Sequence, residues 1–340
     1  MNYGLKKEYF TFDDVLLVPR RSRVFSRKDV SLRSNFSRNI ALDLPIVSAN
    51  MDTVTESKMA IAMAQAGGIG IIHRFLTIEK QAEEIVRVKK QGSSLLVGAA
   101  IGVKDAIERA KAVVDAGADV LVVDIAHGHN ERALETIKIL KKKFKKIDVV
   151  GGNVATKEGV LDLIRAGADA VKIGLGPGAA CITRIVTGVG VPQLSAIIEA
   201  VSTAKKFKVP IIADGGIKNS GDMCKALAAG ASSVMIGSIF AGAEESPGEH
   251  IADGGLGYKL YRGMASRGVA VSDDGFYRTP EGEAGKVVFR GKVEGVLNDF
   301  SSGLRSSMSY LGAVNLNEYK KNAEFIRVSQ STLKESRSRI

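Results

Sequence analysis

Residues 148–174 read DVVGGNVATKEGVLDLIRAGADAVKIG and contain two apolar runs joined by an amphipathic segment. The runs Asp148–Val154 and Ala170–Gly174 are short and nearly continuous, which is typical of strands buried on both faces of a parallel sheet. Between them, Lys157–Ala166 carries Val160, Leu161 and Ile164 at helical spacing. A strand, a helix and a second strand in this order predict a parallel βαβ unit.

The same unit recurs along the chain. Six further apolar runs are predicted strands, and amphipathic segments such as Asp105–Ala116 lie between them. These strands are Pro45–Met51, Gly68–His73, Leu95–Ile101, Val120–Ile125, Pro210–Gly216 and Ser233–Ser238. Eight strands alternating with helices predict an α/β fold, a (β/α)8 (TIM) barrel that forms one domain over residues 1–340.

Composition narrows the class of protein. The 340 residues are 45% hydrophobic and 25% charged, as in an ordinary globular protein. Two cysteines cannot form a disulfide framework, and no signal peptide or membrane-spanning run is visible, so we expect a cytoplasmic enzyme without a membrane partner. The net charge of +11 is scattered and there is no tryptophan, which argues against a nucleic-acid partner and suits phosphorylated small substrates.

Polar residues cluster where the predicted strands end. Since the active sites of such barrels lie at the C-terminal ends of the strands, we expect a catalytic mouth there. Glycines follow the seventh and eighth strands, where these barrels often bind phosphate. The polar residues and glycines are Ser48, Asn50, Asp52, His73, Arg74, Asp124, His127, His129, Asn153, Asp214, Gly215, Gly216, Gly237 and Ser238.

One cysteine occupies a glycine-rich loop after the sixth predicted strand. The loop reads Gly174-Leu-Gly-Pro-Gly-Ala-Ala-Cys181-Ile-Thr183-Arg184. Backbone N–H groups in such a loop can bind an anion and lower the pKa of a thiol, so the pattern indicates a nucleophile beside a phosphate site. A buried, unreactive cysteine is the simpler alternative. The second cysteine, Cys224, falls in the predicted helix Gly221–Ala229.

Several motifs together resemble the IMP dehydrogenase/GMP reductase family. The resemblance extends from about Phe10 to Val328, nearly the whole chain. Its motifs are Phe12-Asp-Asp-Val15, Asn50-Met-Asp-Thr-Val54, Gly151-Gly-Asn-Val154, Gly176-Pro-Gly178 with Cys181, Thr183 and Arg184, Thr187-Gly-Val-Gly190, Ala213-Asp-Gly-Gly-Ile217 and Tyr261-Arg-Gly-Met264.

The resemblance implies a purine nucleotide, GMP or IMP, bound over the barrel mouth, with Cys181 attacking C2 of the purine. It implies that Asp214 binds the ribose hydroxyls and that the backbone near Gly216, Gly237 and Ser238, with Tyr261, binds the phosphate. The remaining implied positions are Ser48, Met51, Gly263 and Met264 around the nucleotide, Arg74, Asp124 and Asn153 on the cofactor side, and the carbonyls of Gly176, Gly178 and Cys181 around a monovalent cation such as K⁺.

The resemblance also implies a homotetramer. One departure from the family is Ala179, where a serine is common, so one phosphate contact is missing or replaced. The segment between the second and third predicted strands is too short for the tandem regulatory (CBS) domains that many dehydrogenases insert there. We therefore expect no inserted domain.

The two branches of the family differ in the fate of the covalent intermediate. Dehydrogenases hydrolyse it with a water activated by an Arg-Tyr pair from a mobile flap, whereas reductases expel ammonia and use NADPH. The predicted flap, about residues 264–292, contains Tyr277-Arg278 in the reverse order and Glu281 where reductases carry a catalytic glutamate. This pattern favours the GMP reductase branch, with Thr183 and Glu281 handling the proton and NADP(H) as cofactor.

Other features leave the alternative open. Leu333-Lys-Glu-Ser336, in the predicted C-terminal tail of about residues 315–340, is similar to a dehydrogenase tail. The alternative is an IMP dehydrogenase that uses NAD and lacks regulatory domains. A catalytically silent nucleotide-binding barrel, or another barrel enzyme acting on a phosphorylated metabolite, is a further interpretation of the same residues.

Overall fold

A computed structural model describes residues 7–254, 256–267 and 279–336. Three short strands come first, and the next eight strands form a closed parallel barrel in chain order. The first three are β1 (Val15–Leu17), β2 (Ser34–Asn35) and β3 (Ala41–Leu42). The barrel strands are β4 (Ile46–Ser48), β5 (Ile69–Ile72), β6 (Val97–Ile101), β7 (Val120–Asp124), β8 (Asp148–Val154), β9 (Ala170–Ile173), β10 (Ile211–Asp214) and β11 (Ser233–Ile236). All eight predicted strands are confirmed.

The barrel closes between its last and first strands, where Val234 lies opposite Ile46 and Ile236 opposite Ser48. Its strands are buried along nearly their whole lengths, completely so in β6 and β9. Burial on both faces explains why the strands read as continuous apolar runs rather than as alternating ones.

Helices follow most of the barrel strands and cover the outside of the barrel. They are α1 (Ser57–Gln65), α2 (Ile78–Gln91), α3 (Ala106–Asp115), α4 (Glu131–Lys143), α5 (Lys157–Arg165), α6 (Thr183–Thr187), α7 (Gln193–Ala204), α8 (Ser220–Ala228), α9 (Ser238–Ala241), α10 (Val293–Tyr310), α11 (Leu316–Asn322) and α12 (Gln330–Glu335). Between β5 and β6 the chain forms only α2 with its connecting loops, so no domain is inserted there.

Helix α5 shows how the local sequence sets these helices. The Thr156 hydroxyl accepts a hydrogen bond from the Gly159 N–H (3.2 Å) and so caps the first turn. The helix buries Val160, Leu163 and Ile164 against the barrel, whereas Leu161 is only half-buried. The inner face therefore follows the i, i+3, i+4 pattern, and the predicted inward position of Leu161 is replaced by that of Leu163.

Three further sheets occur among the described residues and were not predicted, the smallest of them the pair β2 and β3. Strands β12 (His250–Asp253), β13 (Leu256–Arg262) and β14 (Ala284–Val288) form an antiparallel sheet, and β1 pairs with β15 (Phe325–Arg327). Strand β14 belongs to the region predicted as a flap, while residues 268–278 of that region lie outside the described residues. The predicted tail contains α11, β15 and α12.

Among the helices of the described residues, none combines the length and the apolar character needed to cross a bilayer.

Candidate active site

A cavity of about 1150 Å³ opens at the C-terminal ends of the barrel strands. Of the residues predicted to take part in catalysis or to bind a ligand, all but Ser48 line this cavity. The predicted residues that the structure brings together are Met51, Arg74, Asp124, Asn153, Gly176, Gly178, Cys181, Thr183, Asp214, Gly216, Gly237, Ser238, Tyr261, Gly263, Met264 and Glu281.

Ser48 is the predicted binding residue that does not line the cavity. Ser48 is fully buried at the end of β4, and its hydroxyl accepts a hydrogen bond from Thr55 Oγ1 (2.9 Å). The next residues, Ala49, Asn50 and Met51, line the cavity instead. The Ser48 hydroxyl is therefore used inside the protein rather than toward a ligand.

The cysteine loop brings a thiol and a hydroxyl together. The half-buried Cys181 thiol donates a hydrogen bond to Thr183 Oγ1 at 3.2 Å, and Thr183 is the first residue of α6. The loop needs glycine at position 176, where φ is +89° and a Cβ would lie 2.6 Å from Arg184 Cγ. The glycine-rich sequence therefore lets Arg184 pack against the loop that carries Cys181.

The segment that follows the undescribed part of the flap pairs with this loop through the main chain. The Ile182 N–H donates to the Glu281 carbonyl and the Glu283 N–H donates to the Ala180 carbonyl, both at 2.9 Å. These bonds place Gly282 opposite Cys181 in an antiparallel bridge. Because its backbone is fixed in this way, Glu281 lies in the same cavity as the thiol, as the sequence predicted.

Lys172 is the main site residue that sequence reasoning missed. It lies within β9 and is almost fully buried, and its Nζ is 2.9 Å from Asp124 Oδ1 and 2.6 Å from Asp214 Oδ2. Burial acts to lower the pKa of Lys172, but the charges of Asp124 and Asp214 outweigh it and raise the pKa above its ordinary value. A lysine in the middle of an otherwise apolar strand was the signal available in the sequence.

The two carboxylates are held by this lysine and by amide groups. Burial alone would raise the pKa of Asp124, but the Lys172 charge and its hydrogen bond outweigh that effect and lower it. Asp214 Oδ2 also accepts a hydrogen bond from Asn153 Nδ2 (2.8 Å), and the Asp214 carbonyl accepts one from Gln193 Nε2 (2.9 Å). Among the described residues no donor reaches Asp214 Oδ1, so this oxygen is available to a ligand.

The opposite wall of the cavity is built from glycines and a buried phenol. Gly215 and Gly216 both have positive φ, +93° and +79°, and a Cβ on Gly215 would lie 2.9 Å from Pro177 Cγ. The Tyr261 hydroxyl lies 3.8 Å from Met51 Sδ, and burial raises the pKa of this phenol, which keeps it protonated as a donor. Backbone N–H groups and a neutral hydroxyl suit an anionic group.

The remaining wall of the cavity carries Arg74, the second cationic side chain of the site after Lys172. Arg74 lies over the Phe75 ring, with its guanidinium carbon 4.8 Å from the ring centroid. Its Nε is buried and has no hydrogen-bond partner among the described residues. The volume of the cavity is larger than one nucleotide needs, and Arg74 leaves a donor unpaired on this side. The cavity therefore has room here for a second ligand.

None of the three histidines predicted at the mouth, His73, His127 and His129, lines the cavity. His73 is buried and its Nε2 lies 3.4 Å from Glu56 Oε1, while His129 Nε2 lies 2.9 Å from Asp162 Oδ2 on α5. Within residues 7–254, 256–267 and 279–336, no three His, Cys, Asp or Glu side chains form a group that could hold a metal ion.

Comparison with known proteins agrees with this geometry. The sequence profile of the "IMP dehydrogenase / GMP reductase domain" matches residues 9–339. The chain is 45% identical to an inosine-5'-monophosphate dehydrogenase of Cryptosporidium parvum, with 96% of this chain and 94% of the relative covered. It is 42% identical to that of Borreliella burgdorferi (98% and 97% covered) and 37% identical to that of Nitrosopumilus maritimus (97% and 98% covered).

The alignment lengths agree with the structure, in which no domain is inserted between β5 and β6. The alignment with the Nitrosopumilus protein extends over 465 positions, more than the 340 residues of this chain, so that relative carries inserted residues that this chain lacks. The profile match covers nearly the whole chain, and the barrel carries the family's cysteine loop and Asp-Gly-Gly motif at one cavity. The chain therefore belongs to the IMP dehydrogenase/GMP reductase family of purine nucleotide oxidoreductases.

Proposed function

We propose that the protein is an IMP dehydrogenase that converts IMP, NAD⁺ and water to XMP, NADH and a proton. The observation that carries this proposal is the similarity of 37–45% identity, over at least 94% of each chain, to three proteins named inosine-5'-monophosphate dehydrogenase. The sequence motifs of the flap favour the reductase branch, but these relatives support the dehydrogenase. NAD accordingly replaces NADP(H) as the proposed cofactor.

Cys181 is the proposed nucleophile. Its thiolate forms a bond to C2 of the purine, and the hydride on C2 is transferred to the nicotinamide ring, which is the chemistry that NAD⁺ supplies when bound. Water then attacks the same carbon and breaks the bond to sulfur, which releases XMP and regenerates the thiol. The position of Cys181 in the cavity and its 3.2 Å hydrogen bond to Thr183 support this role.

Thr183 and Glu281 are the proposed proton-handling pair. Both line the cavity, and Glu281 is fixed to the cysteine loop by the bond from the Ile182 N–H to its carbonyl. In the dehydrogenase, Glu281 accepts a proton from the attacking water, directly or through the Thr183 hydroxyl. The flap sequence contains no Arg-Tyr pair, and Glu281 lines the cavity beside the cysteine loop, which supports Glu281 as the base. Tyr277-Arg278 lies outside the described residues.

The nucleotide is proposed to lie between Asp214 and the glycine wall. Asp214 Oδ1 accepts hydrogen bonds from the ribose hydroxyls, while the backbone at Gly216, Gly237 and Ser238 binds the phosphate with the Tyr261 hydroxyl. Met51, Gly263 and Met264 complete this wall.

The cofactor side is proposed to be formed by Arg74, Asp124 and Asn153. The buried Arg74 Nε without a partner gives this wall an unused donor, and Asp124 and Asn153 are oriented by Lys172. The Arg74 guanidinium can donate to a phosphate of NAD, and the Asp124 carboxylate can accept from its carboxamide N–H groups.

The carbonyls of Gly176, Gly178 and Cys181 are the proposed ligands of a K⁺ ion. Neutral carbonyl oxygens on one tight turn suit a hard monovalent cation, and the positive φ of Gly176 makes that turn. A homotetramer remains part of the proposal. Ile185 and Val189, next to this turn, are exposed by 84% and 55%, which supports a subunit contact there.

GMP reductase is the second candidate. The observation that favours it is Glu281, which follows Tyr277-Arg278-Thr-Pro in the order found in reductases and lies in the cavity with Cys181 and Thr183. In that reaction Cys181 adds to C2 of GMP, ammonia leaves with a proton from Glu281, and NADPH would supply a hydride to C2, after which the bond to sulfur breaks to release IMP and the Cys181 thiolate.

Parallel turnover assays test the two candidates. The protein is incubated with IMP and NAD⁺, and separately with GMP and NADPH, under the same conditions and with K⁺ present. The proposal expects repeated turnover to XMP in the first reaction and little oxidation of NADPH in the second. The reverse result would move the assignment to GMP reductase, and no turnover in either reaction would leave only a nucleotide-binding barrel.

A further inference from the structure

A second, smaller cavity lies on the face of the barrel opposite the mouth. It has a volume of about 180 Å³, and we call it the basal pocket. The residues that the argument uses are Arg33, Ser34, Asn35, Ser232, Asn317 and Lys320. Ser232 directly precedes β11, which places the pocket where the barrel strands begin. The residues proposed for catalysis lie at the other ends of these strands, so the basal pocket is separate from the active site.

The lining of the basal pocket is rich in donors and contains no carboxylate. Two cationic side chains, Arg33 and Lys320, and three asparagines contribute to it, of which Asn315 already donates to Glu318 and Asn35 and Asn317 do not. Such a combination of positive charge and neutral donors favours an oxyanion over a cation or an apolar ligand.

Lys320 is the decisive residue in this pocket. Its side chain is half-buried, and no hydrogen bond or ion pair to it occurs among the described residues. Burial lowers the pKa of Lys320 to about 8, because the ammonium is desolvated and no nearby carboxylate compensates. A bound dianion would supply the missing counter-charge.

Two carboxylates contact residues that line the basal pocket, but neither compensates the charge of Lys320. Asp43 lies 3.8 Å from the Arg33 guanidinium, and both side chains are largely exposed, so this pair is weak. Glu318 accepts hydrogen bonds from Asn315 Nδ2 (3.0 Å) and the Val314 N–H (3.1 Å), which turn it toward its own helix cap. Neither group lines the basal pocket.

The wider surface adds to the positive potential. Helices α4 and α7 run back toward the start of the next barrel strand, so their C-terminal ends lie on this same face. Lys142 and Lys143 end α4, and Lys205, Lys206 and Lys208 follow α7, whereas Lys141 is paired with Asp169 at 2.6 Å. Clustered lysines on one face raise the local concentration of anions.

We propose that the basal pocket is a binding site for a phosphate dianion, either free or as the phosphate group of a monoester. Since one water occupies about 30 Å³ in the liquid, a pocket of 180 Å³ accommodates an anion of this size. The ammonium of Lys320 and the Arg33 guanidinium bind the oxyanion, and the amides of Asn35 and Asn317 complete its hydrogen bonds. The site does not depend on which nucleotide reaction the mouth catalyses.

Titration calorimetry with inorganic phosphate, at constant ionic strength in a phosphate-free buffer, tests the proposal. The wild-type protein is compared with Lys320→Met and with Lys321→Met, a matched control that removes the same charge from the adjacent, exposed position. Lys320→Met should weaken one phosphate-binding event by about 10- to 100-fold, the loss expected for a charged hydrogen bond, while Lys321→Met leaves it unchanged. Any phosphate bound at the mouth is unaffected in both variants.

One further variant and one further ligand complete the test of the basal pocket. Arg33→Gln, at an exposed position that does not challenge folding, should weaken the same event. Titration with methyl phosphate distinguishes the sources: binding of both probes indicates a monoester site, and binding of inorganic phosphate alone indicates a free-anion site. Equal affinities of wild-type and Lys320→Met protein, equal losses in Lys320→Met and Lys321→Met, or no binding of either probe would each overturn the proposal.

Discussion

Lys172 Nζ lies 2.6 Å from Asp214 Oδ2 at the mouth of the barrel. The same ammonium lies 2.9 Å from Asp124 Oδ1 on β7, so one side chain on β9 joins carboxylates from two other strands. Asp124 belongs to the wall proposed for the cofactor and Asp214 to the wall proposed for the ribose. Lys172 therefore sets the spacing between the two proposed ligands.

Replacement of this lysine tests that role. Lys172→Met removes the buried counter-charge of two half-buried carboxylates, and breaking an ion pair in this way costs at most about 3–5 kcal/mol. We expect a lower free energy of unfolding and a fall in kcat/KM of roughly 100-fold, because the ligands lose their relative position. Urea unfolding and steady-state kinetics measure the two effects.

Lys142→Met is the matched control, since Lys142 is exposed on α4. This variant should behave as the wild type in both measurements. A Lys172→Met protein with normal stability and normal kcat/KM would show that the bridge between Asp124 and Asp214 has no part in the site.

Cys181→Ala should bind the nucleotide and fail to turn it over. The thiol is required for the covalent step, whereas the proposed binding groups lie on other loops. Isothermal titration with IMP, followed by mass spectrometry of protein quenched during turnover, should give normal binding and no nucleotide adduct. Cys224→Ala, with the second cysteine removed from α8, is the control that keeps both the adduct and the activity. Substantial turnover by Cys181→Ala would refute the assignment of the nucleophile.

The two cysteines should differ in their reaction with alkylating agents. Burial raises the pKa of the Cys224 thiol to about 11, and only 4% of the residue is exposed. Near neutral pH Cys224 therefore holds almost no thiolate, which is the reactive form. Iodoacetamide should modify one cysteine per chain, identified by peptide mapping as Cys181, and IMP should protect it. Faster modification of Cys224 than of Cys181 would contradict the described burial.

Glu281→Gln tests the proton-handling pair. Without the carboxylate, water attacks the covalent intermediate slowly, so the variant should release a burst of NADH and accumulate the nucleotide adduct on Cys181. Its KM for IMP should change little. Glu283→Gln is the matched control, because Glu283 is exposed and does not line the cavity. Steady turnover without a burst in Glu281→Gln would remove this glutamate from the reaction.

The lowered pKa of Lys320 predicts how the free energy of unfolding depends on pH. Its pKa is lowered to about 8 in the folded protein, whereas an unfolded lysine titrates near 10.4. Between these values the unfolded chain binds the extra proton, so the contribution of Lys320 to stability rises as pH increases from about 8 to about 10.4. In phosphate-free buffer, the free energy of unfolding of the wild type should therefore increase relative to that of Lys320→Met across this range. A constant difference would show that Lys320 is not desolvated.

The barrel was predictable because its signal is local. Each strand is a short apolar run buried on both faces, and each helix carries an apolar stripe, as Val160 and Ile164 on α5 illustrate. Strand ends then place the polar residues at one mouth without further information. The sheet of β12–β14 was not predictable in this way, because its strands are partly exposed and pair only with one another.

The candidate site was predictable to the extent that its residues belong to loops with distinctive motifs. Cys181, Asp214 and Glu281 were found in this way. Lys172 was missed because its role depends on two carboxylates that are 48 and 42 positions away in the sequence and meet only when the barrel closes. Ser48 was misplaced because a strand-end position does not reveal whether a side chain points into the protein or into the cavity.

The central claim is that the protein belongs to the dehydrogenase branch of the family. The source of the oxygen atom that is added at C2 of the purine tests this claim most directly. The protein is incubated with IMP and NAD⁺ in water labelled with heavy oxygen, and the product is identified by mass spectrometry. The account predicts XMP that carries one heavy oxygen atom at C2, formed in many turnovers per Cys181. Unchanged IMP in this reaction, together with conversion of GMP and NADPH to IMP and ammonia, would contradict the account and identify a reductase.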